Sequence, residues 1–400
     1  MHLARRRTGQ LAAQLIARHY ATQQASSPPP RQSLSPATVA LRDRLIHGER
    51  YALSQAITLV ESSRHDHRIE ASRLLSSILS ETHSDSRTFR IGLSGPPGVG
   101  KSTFIEQFGK LLLDEGHRVS VLAIDPSSSR TGGSILGDKT RMPMLSRDER
   151  AYIRPSPTRG SLGGVARNTA EAMMLCEAAG FDICLVETVG VGQSETTVAE
   201  MVDMHGKGSV YLCRQAVSIG VDGAHRSMCL SMVGGLGGDE LQGMKKGVVE
   251  LADMIVVTKA DGGLLPAARI AQQEYTSALK FVQPRFPEWR PQVIRASSKH
   301  VDDIKQVWRK MSDYRETIIV CSFGLMSACT DTGRLDEIRS MQRIRWMWNQ
   351  VSAHLLQRLR EDGMVRRRAQ SFEPLVASGK MAWGDAAEQL IQTFLSQKTL

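Results

Sequence analysis

The sequence predicts an α/β fold in which a mostly parallel sheet is covered by helices on both faces, and three observations carry that expectation. From about Arg90 to Ser298, short apolar runs (FRIGLSG, RVSVLAID, DICLVET, MIVVTKAD, PQVIRASS) alternate with stretches of helical period, the pattern of strands joined by crossover helices. The first run ends in GPPGVGKST, Gly95 to Thr103, a glycine-rich turn between a strand and a helix. Helical patterns without strands flank this region on both sides.

Size and charge bound the reading. Four hundred residues, 41% of them hydrophobic, suffice for a sizeable core and two or three structural units. No apolar run reaches the roughly eighteen residues that a spanning helix needs, so no membrane partner is expected. The formal charge is +10, but residues 1–42 hold six Arg and no acid, which leaves +4 on the remainder. The excess belongs to one end, and no nucleic-acid partner is expected.

Residues 1–36 read as a mitochondrial transit peptide and linker. The leader is Arg-rich and acid-free, and Leu11, Leu15 and Ile16 share a helical face away from Arg7 and Arg18. Cleavage near Ala21 and residence in the mitochondrial matrix follow; a disordered basic tail is the alternative. Ser26–Pro36 is a Pro/Ser linker. Residues 37–86 form an N-terminal helical segment, with Leu53, Ala56, Ile57 and Val60 on one face and Leu74, Leu75, Ile78 and Leu79 on the next. Residues 87–316 form the strand-bearing domain, and residues 335–400 a C-terminal helical segment containing IRWMWNQVSAHLLQRL and WGDAAEQLIQTFL. The six cysteines form no C-x-x-C pair and read as reduced thiols; the histidines are scattered, which argues against a metal cluster.

The loops carry the chemistry. Gly95, Pro96, Pro97, Gly98, Val99, Gly100, Lys101, Ser102 and Thr103 satisfy G-x-x-x-x-G-K-[ST], in which backbone amides curl around a β-phosphate. Lys101 is expected to reach the β- and γ-phosphates and Ser102 to hold Mg²⁺. The fold class is therefore that of a P-loop nucleoside triphosphatase. VTKAD, containing Thr258, Lys259 and Asp261, ends a later strand. A carboxylate there can accept from guanine N1–H and N2–H₂, a pair that adenine lacks. Lys259 would lay its stem along the purine, and the amides of Ser297, Ser298 and Lys299 would meet guanine O6. Alone, T-K-x-D is a salt-bridged turn; after a P-loop it reads as a guanine reader, so the cofactors are GTP or GDP with Mg²⁺. VETVGVGQSE begins at another strand end. Its Glu187 is the second carboxylate for Mg²⁺ or its waters, and Gly190 is placed to give its N–H to the γ-phosphate in a loop free to rearrange.

Taken together, GPPGVGKST, AIDPSSSRTGGSILGDKTRM, RPSPTRGSLGGVA, VETVGVGQSE, GGDELQGMKKG and VTKAD resemble the SIMIBI-class P-loop GTPases of the MeaB and methylmalonic aciduria type A family, over about residues 45–400. The resemblance implies that Asp125 and Asp138 join Glu187 and Lys101 in catalysis. It also implies that Asp125, Asp138, Glu187 and Ser102 hold Mg²⁺, and that Arg141, Asp239, Gln242 and Lys245 couple nucleotide state to methylmalonyl-CoA mutase. It further implies a homodimer through the terminal helices, and a GTP-hydrolysing chaperone that gates adenosylcobalamin loading and protection of the mutase. No D-x-H-x-x-G stretch occurs, so no cobalamin-ligating residue is expected in this chain.

Two stretches depart from the family pattern. His205–Met228 stands within what would otherwise read MVDMCLSMVGGLGGDELQG, and residues 317–331, in a linker over 317–334, interrupt DYRETGRLDEIR. Both read as non-native insertions, with a genuine pair of lineage-specific loops as the alternative. MVGGLGG also stands where the family has a Pro-Pro pair, which weighs on mutase coupling more than on nucleotide binding. The rival functions are a nickel-type metallochaperone GTPase, which would need a His-rich tract, a transport ATPase or kinase, and a nucleotide-binding scaffold with impaired switches.

Overall fold

Strand β1 (Phe89–Ser94) is buried along its whole length, and the sheet is built outward from it. The computed structural model describes residues 34–62, 64–81, 88–96, 98–125, 142–157, 162–188, 202, 229–234, 252–281, 289–320 and 334–396. The leader, Pro97, Asp138, Arg141, Gly190, Asp239, Gln242, Lys245 and residues 205–228 lie outside these, as does the side chain of Asp125. β1 pairs with β4 (Ile183–Glu187) on one side and β5 (Cys229–Gly234) on the other. Beyond β4 come β2 (Val119–Asp125) and then β3 (Ala151–Pro157). Beyond β5 come β6 (Met254–Thr258) and β7 (Gln292–Arg295), giving the order β3-β2-β4-β1-β5-β6-β7. All these pairings are parallel, which suits the fully buried apolar runs of β1, β4 and β6, strands that leave no polar face for water.

β3 is a strand that the alternation pattern does not single out. Its sequence AYIRPSP carries Pro155 and Pro157, which lack a ladder donor and demote a run from strand candidacy. The structure places β3 at the sheet edge, where a missing donor costs no second ladder.

Helices α4 (Lys101–Asp114) and α8 (Val301–Val320) cover one face. Phe104, Phe108, Ile91, Leu93, Val256 and Trp308 pack there, with the Phe104 and Phe108 rings stacked at 5.4 Å and Trp308 edge-on to Phe108 at 5.8 Å. A short helix α5 (Pro143–Arg147) seats on α4 at Gly109, where a Cβ would come within 2.7 Å of Leu145. The opposite face is covered by α6 (Leu162–Ala178) and the N-terminal helices α1 (Pro36–Ile46), α2 (Arg50–Glu61) and α3 (His65–Glu81). The spacing rule holds on α2, which buries Leu53, Ala56, Ile57 and Val60; on α3 Leu79 points outward, 47% exposed. α1 starts at Pro36, the last residue assigned to the linker, because the Ser35 hydroxyl accepts from Thr38 N at 3.2 Å and proline suits the first helical position. Helix α7 (Leu265–Leu279) covers β6 and β7 through Ile255, Val257 and Tyr275.

The C-terminal helices are α9 (Arg334–Glu361), α10 (Gly363–Ala377) and α11 (Trp383–Ser396). α8 continues through Thr317–Val320, the first four residues of the stretch read as an interruption; residues 321–333 lie outside the described part. Among the described residues α9 is seated by polar ties and one ring: Arg339 donates to Thr88 O at 2.7 Å, Gln342 to Val202 O at 2.9 Å and Gln350 to Glu171 at 2.9 Å, and Trp346 packs against the apolar cluster beneath. Between α9 and the sheet, buried Arg90 pairs with Glu177 at 2.5 Å and lies 6.0 Å from the Trp346 ring centre.

Candidate nucleotide site

The loop after β1 turns where the sequence places glycine. Gly98 (φ 78°) and Gly100 (φ 100°) lie in the left-handed region, which a Cβ disfavours, and Gly100 opens α4. The first amides of α4 therefore face the loop, together with the positive end of the helix dipole. Lys101 is 8% exposed, and its Nζ donates to Gly95 O at 2.6 Å and Pro96 O at 3.1 Å, which keeps the ammonium inside the loop.

The end of β6 is tied directly to this loop. Thr258 Oγ1 donates to Val99 O at 2.7 Å and Lys259 Nζ to Gly98 O at 2.8 Å. Among the described residues Lys259 is the non-glycine with positive φ, at 54°, and that conformation carries its stem across the gap to the P-loop. Asp261 follows, accepting from the Ser297 hydroxyl and from Lys299 Nζ at 2.9 Å. The Ser297 hydrogen bond first, and the Lys299 ammonium second, hold its carboxyl below the usual carboxylate range.

The loop after β7 shares out its amides. Ser297 N donates to Asp303 Oδ2 at 2.8 Å and Lys299 N to Ser297 Oγ at 3.2 Å, so of the three amides expected at guanine O6, Ser298 N–H is the one without a protein partner among the described residues. Asp303, near the start of α8, is a buttress that motif reading missed. Its only sequence signal is an acid in the first turn of the helix that follows ASSK.

Glu187 closes β4 and is 8% exposed; Ser102 Oγ donates to its Oε1 at 3.1 Å. Thr188 N donates to Leu93 O at 3.0 Å, which fixes this strand end beside that of β1. A hydroxyl and a carboxylate meeting at the mouth of a P-loop form a hard-oxygen donor set, which fits Mg²⁺. The backbone of Asp125 ends β2, one strand further out. Glu106, buried on α4, accepts from Met144 N at 2.6 Å and so caps α5, the helix just after the segment bearing Asp138 and Arg141.

The family described as methylmalonyl-CoA mutase-associated GTPase MeaB matches residues 53–210 and 216–364, the break falling inside His205–Met228. The chain is 45% identical over 360 residues to a methylmalonic aciduria type A homolog, mitochondrial, of Mus musculus, covering 88% of this chain and 78% of the relative. It is 43% identical over 316 residues to GTPase ArgK of Escherichia coli (strain K12), covering 79% and 84%. The crystal structure of a LAO/AO transport system kinase superposes with a TM-score of 0.63 at 33% identity, covering 91% of this chain and all of that one.

Proposed function

Because the chain belongs to the methylmalonyl-CoA mutase-associated GTPase family MeaB, a GTPase family related to that mutase, we propose that it is the GTP-driven chaperone that gates adenosylcobalamin loading and protection of methylmalonyl-CoA mutase. It is a GTPase, which converts GTP and water to GDP and phosphate. The observation that carries the nucleotide reading is the clamp between β6 and the P-loop, Thr258 to Val99 and Lys259 to Gly98, which sets Asp261 at a fixed distance from the phosphate cradle. The kinase name borne by the solved relative does not account for Asp261, whose two oxygens suit guanine and find no donor pair on adenine.

In this reading Lys101 carries positive charge to the β- and γ-phosphates, where negative charge gathers as the bond to the γ-phosphoryl breaks. Ser102 and Glu187, with Asp125 and Asp138, would hold Mg²⁺, which when bound neutralises phosphate charge. Gly190 and the residues after Glu187 sense the γ-phosphate. Arg141, Asp239, Gln242 and Lys245 pass its presence to the mutase, so that the two nucleotide states bind the partner differently. The protein acts in the mitochondrial matrix as a homodimer. The exposed stripe Ile344, Trp348, Val351 and Leu355 on α9, each 39–61% exposed, supports that assembly.

Turnover of GTP by the full-length chain, with and without methylmalonyl-CoA mutase, tests the proposal. Turnover should rise on adding the mutase and vanish in Lys101→Ala, which removes the charge that the loop holds. Unstimulated turnover would favour a nucleotide-binding scaffold with impaired switches.

A further inference from the structure

Among the described residues no strand pairs with the outer edge of the sheet at β7. α7 covers one face of β7 and α8 the other, and between them the strand edge forms the floor of a groove of about 390 Å³. Ala296 N donates to Val257 O and Ala296 O accepts from Ala260 N, so Ala296 faces β6. By strand alternation Val293 and Arg295 turn their backbone groups the other way, into the groove. Gln272, on α7, donates to Val293 O at 2.9 Å from that side and confirms the orientation. Val293 N–H and both backbone groups of Arg295 have no protein partner among the described residues.

The walls are basic. Arg269 stands on the α7 side, Arg295 on the floor and Lys310 on the α8 side. Lys310 already pairs with Asp313 at 2.9 Å, whereas Arg269 and Arg295 have no ion-pair partner among the described residues. Asp303 is the acid among the described lining residues, and its Oδ2 accepts from Ser297 N. Unpaired ladder groups along a floor flanked by unspent guanidinium charge are what an added strand with acidic side chains would satisfy.

We propose that this groove docks an extended, acidic segment of a partner protein, which adds to β7 as an eighth strand and pairs its carboxylates with Arg269 and Arg295. Backbone hydrogen bonds supply the attachment, and the two arginines select against basic segments. Gln272 occupies one of the ladder acceptors and is displaced on docking.

The test uses the full-length chain and a fluorescein-labelled eight-residue peptide alternating Glu and Val, with a Lys/Val peptide as its counterpart. The acidic peptide should bind, the basic one should not, and amide hydrogen exchange at Val293 and Arg295 should slow when the acidic peptide is present. The double variant R269E/R295E should weaken binding roughly tenfold, with GDP affinity and thermal melt unchanged as proof of folding. Q272A, which frees the Val293 carbonyl, should bind the peptide more tightly, an effect that charge attraction alone does not produce. Equal binding of the two peptides, unaltered exchange at Val293 and Arg295, or full displacement of the peptide by inorganic phosphate would overturn the proposal; the last outcome would mark a simple anion site.

Discussion

Asp261 shows how much a single carboxylate decides. Its oxygens are held by Ser297 and Lys299, and in the proposed reading the pair they offer accepts from guanine N1–H and N2–H₂. Asp261→Asn should lower guanosine nucleotide affinity and raise that for xanthosine nucleotides, whose O2 accepts from the new amide. Two charge-assisted bonds at roughly 1.5–3 kcal/mol each put the guanine loss at roughly 10²–10⁴-fold, measurable by calorimetry with Mg²⁺. The sign of the pH dependence follows from the same contacts. The Asp261 pKa is depressed, so its charged form survives as pH falls and is lost only below the usual carboxylate range. Guanine preference over adenine should therefore hold flat from pH 7 down to about 5, and a decline centred near pH 6 would assign the selectivity to another group. P-loop, Thr258, Lys259 and Asp261 are legible in the sequence because their chemistry requires fixed spacing along the chain. The engagement of Ser297 N by Asp303 is not legible, because it depends on how a helix start turns back on a loop.

At the scale of elements, β5 is where sequence and structure bear on each other most closely. Its ladder with β1 begins at Gly92 opposite Cys229, and among the described residues Phe89, Arg90 and Ile91 have no β5 partner. Removing His205–Met228 would put Met204 directly before Cys229, hence opposite Ile91, with Asp203 opposite Arg90. With His205–Met228 in place, Val202 stands outside β5. It belongs to the same buried cluster as Cys184 and Val186, whereas in the deleted chain alternation would set it opposite Phe89, whose side chain lies in the cluster on the other face. Gln342 holds its carbonyl there. The deletion should therefore lengthen β5 by two residues and raise the thermal midpoint, by about 2–4 °C for each kcal/mol regained. Mutase-stimulated GTP turnover should be greater in the deleted chain. Equal melting and equal response in both chains would establish the stretch as a native loop. The strands were readable because buried parallel strands are continuously apolar, and β3 was not because its prolines are tolerated only by its place at the edge.

For the whole molecule, the question is what the long helix α9 presents and to what. Its underside is fixed to the sheet and to α6 by Arg339, Gln342 and Gln350, and to α3 by Arg68, which donates to Gln357 at 3.0 Å. Arg90 and Glu177 reinforce the seat; removing one partner of so buried a pair costs about 3–5 kcal/mol. The helix is thus held in one orientation, and its apolar stripe faces outward: Ile344, Trp348, Val351 and Leu355, with Trp383 on α11 83% exposed. Apolar side chains spaced by three and four on the outward face of a helix whose other face is already seated, Trp346 included, are explained by a second surface. A copy of the same chain offers one that is self-complementary by symmetry. Stable association of this kind buries on the order of 1,200–2,000 Å², within reach of a 28-residue helix joined by its neighbours. Trp348→Glu with Leu355→Glu should give a monomer by light scattering at micromolar concentration. Guanine nucleotide affinity should be unchanged, since among the described residues no contact of the nucleotide site involves α9. The mutase response separates two roles for the assembly: its loss in a folded, GTP-binding monomer means that the partner reads two subunits together, and its survival means that one subunit suffices. If the double variant remains a dimer, the stripe on α9 is not the interface.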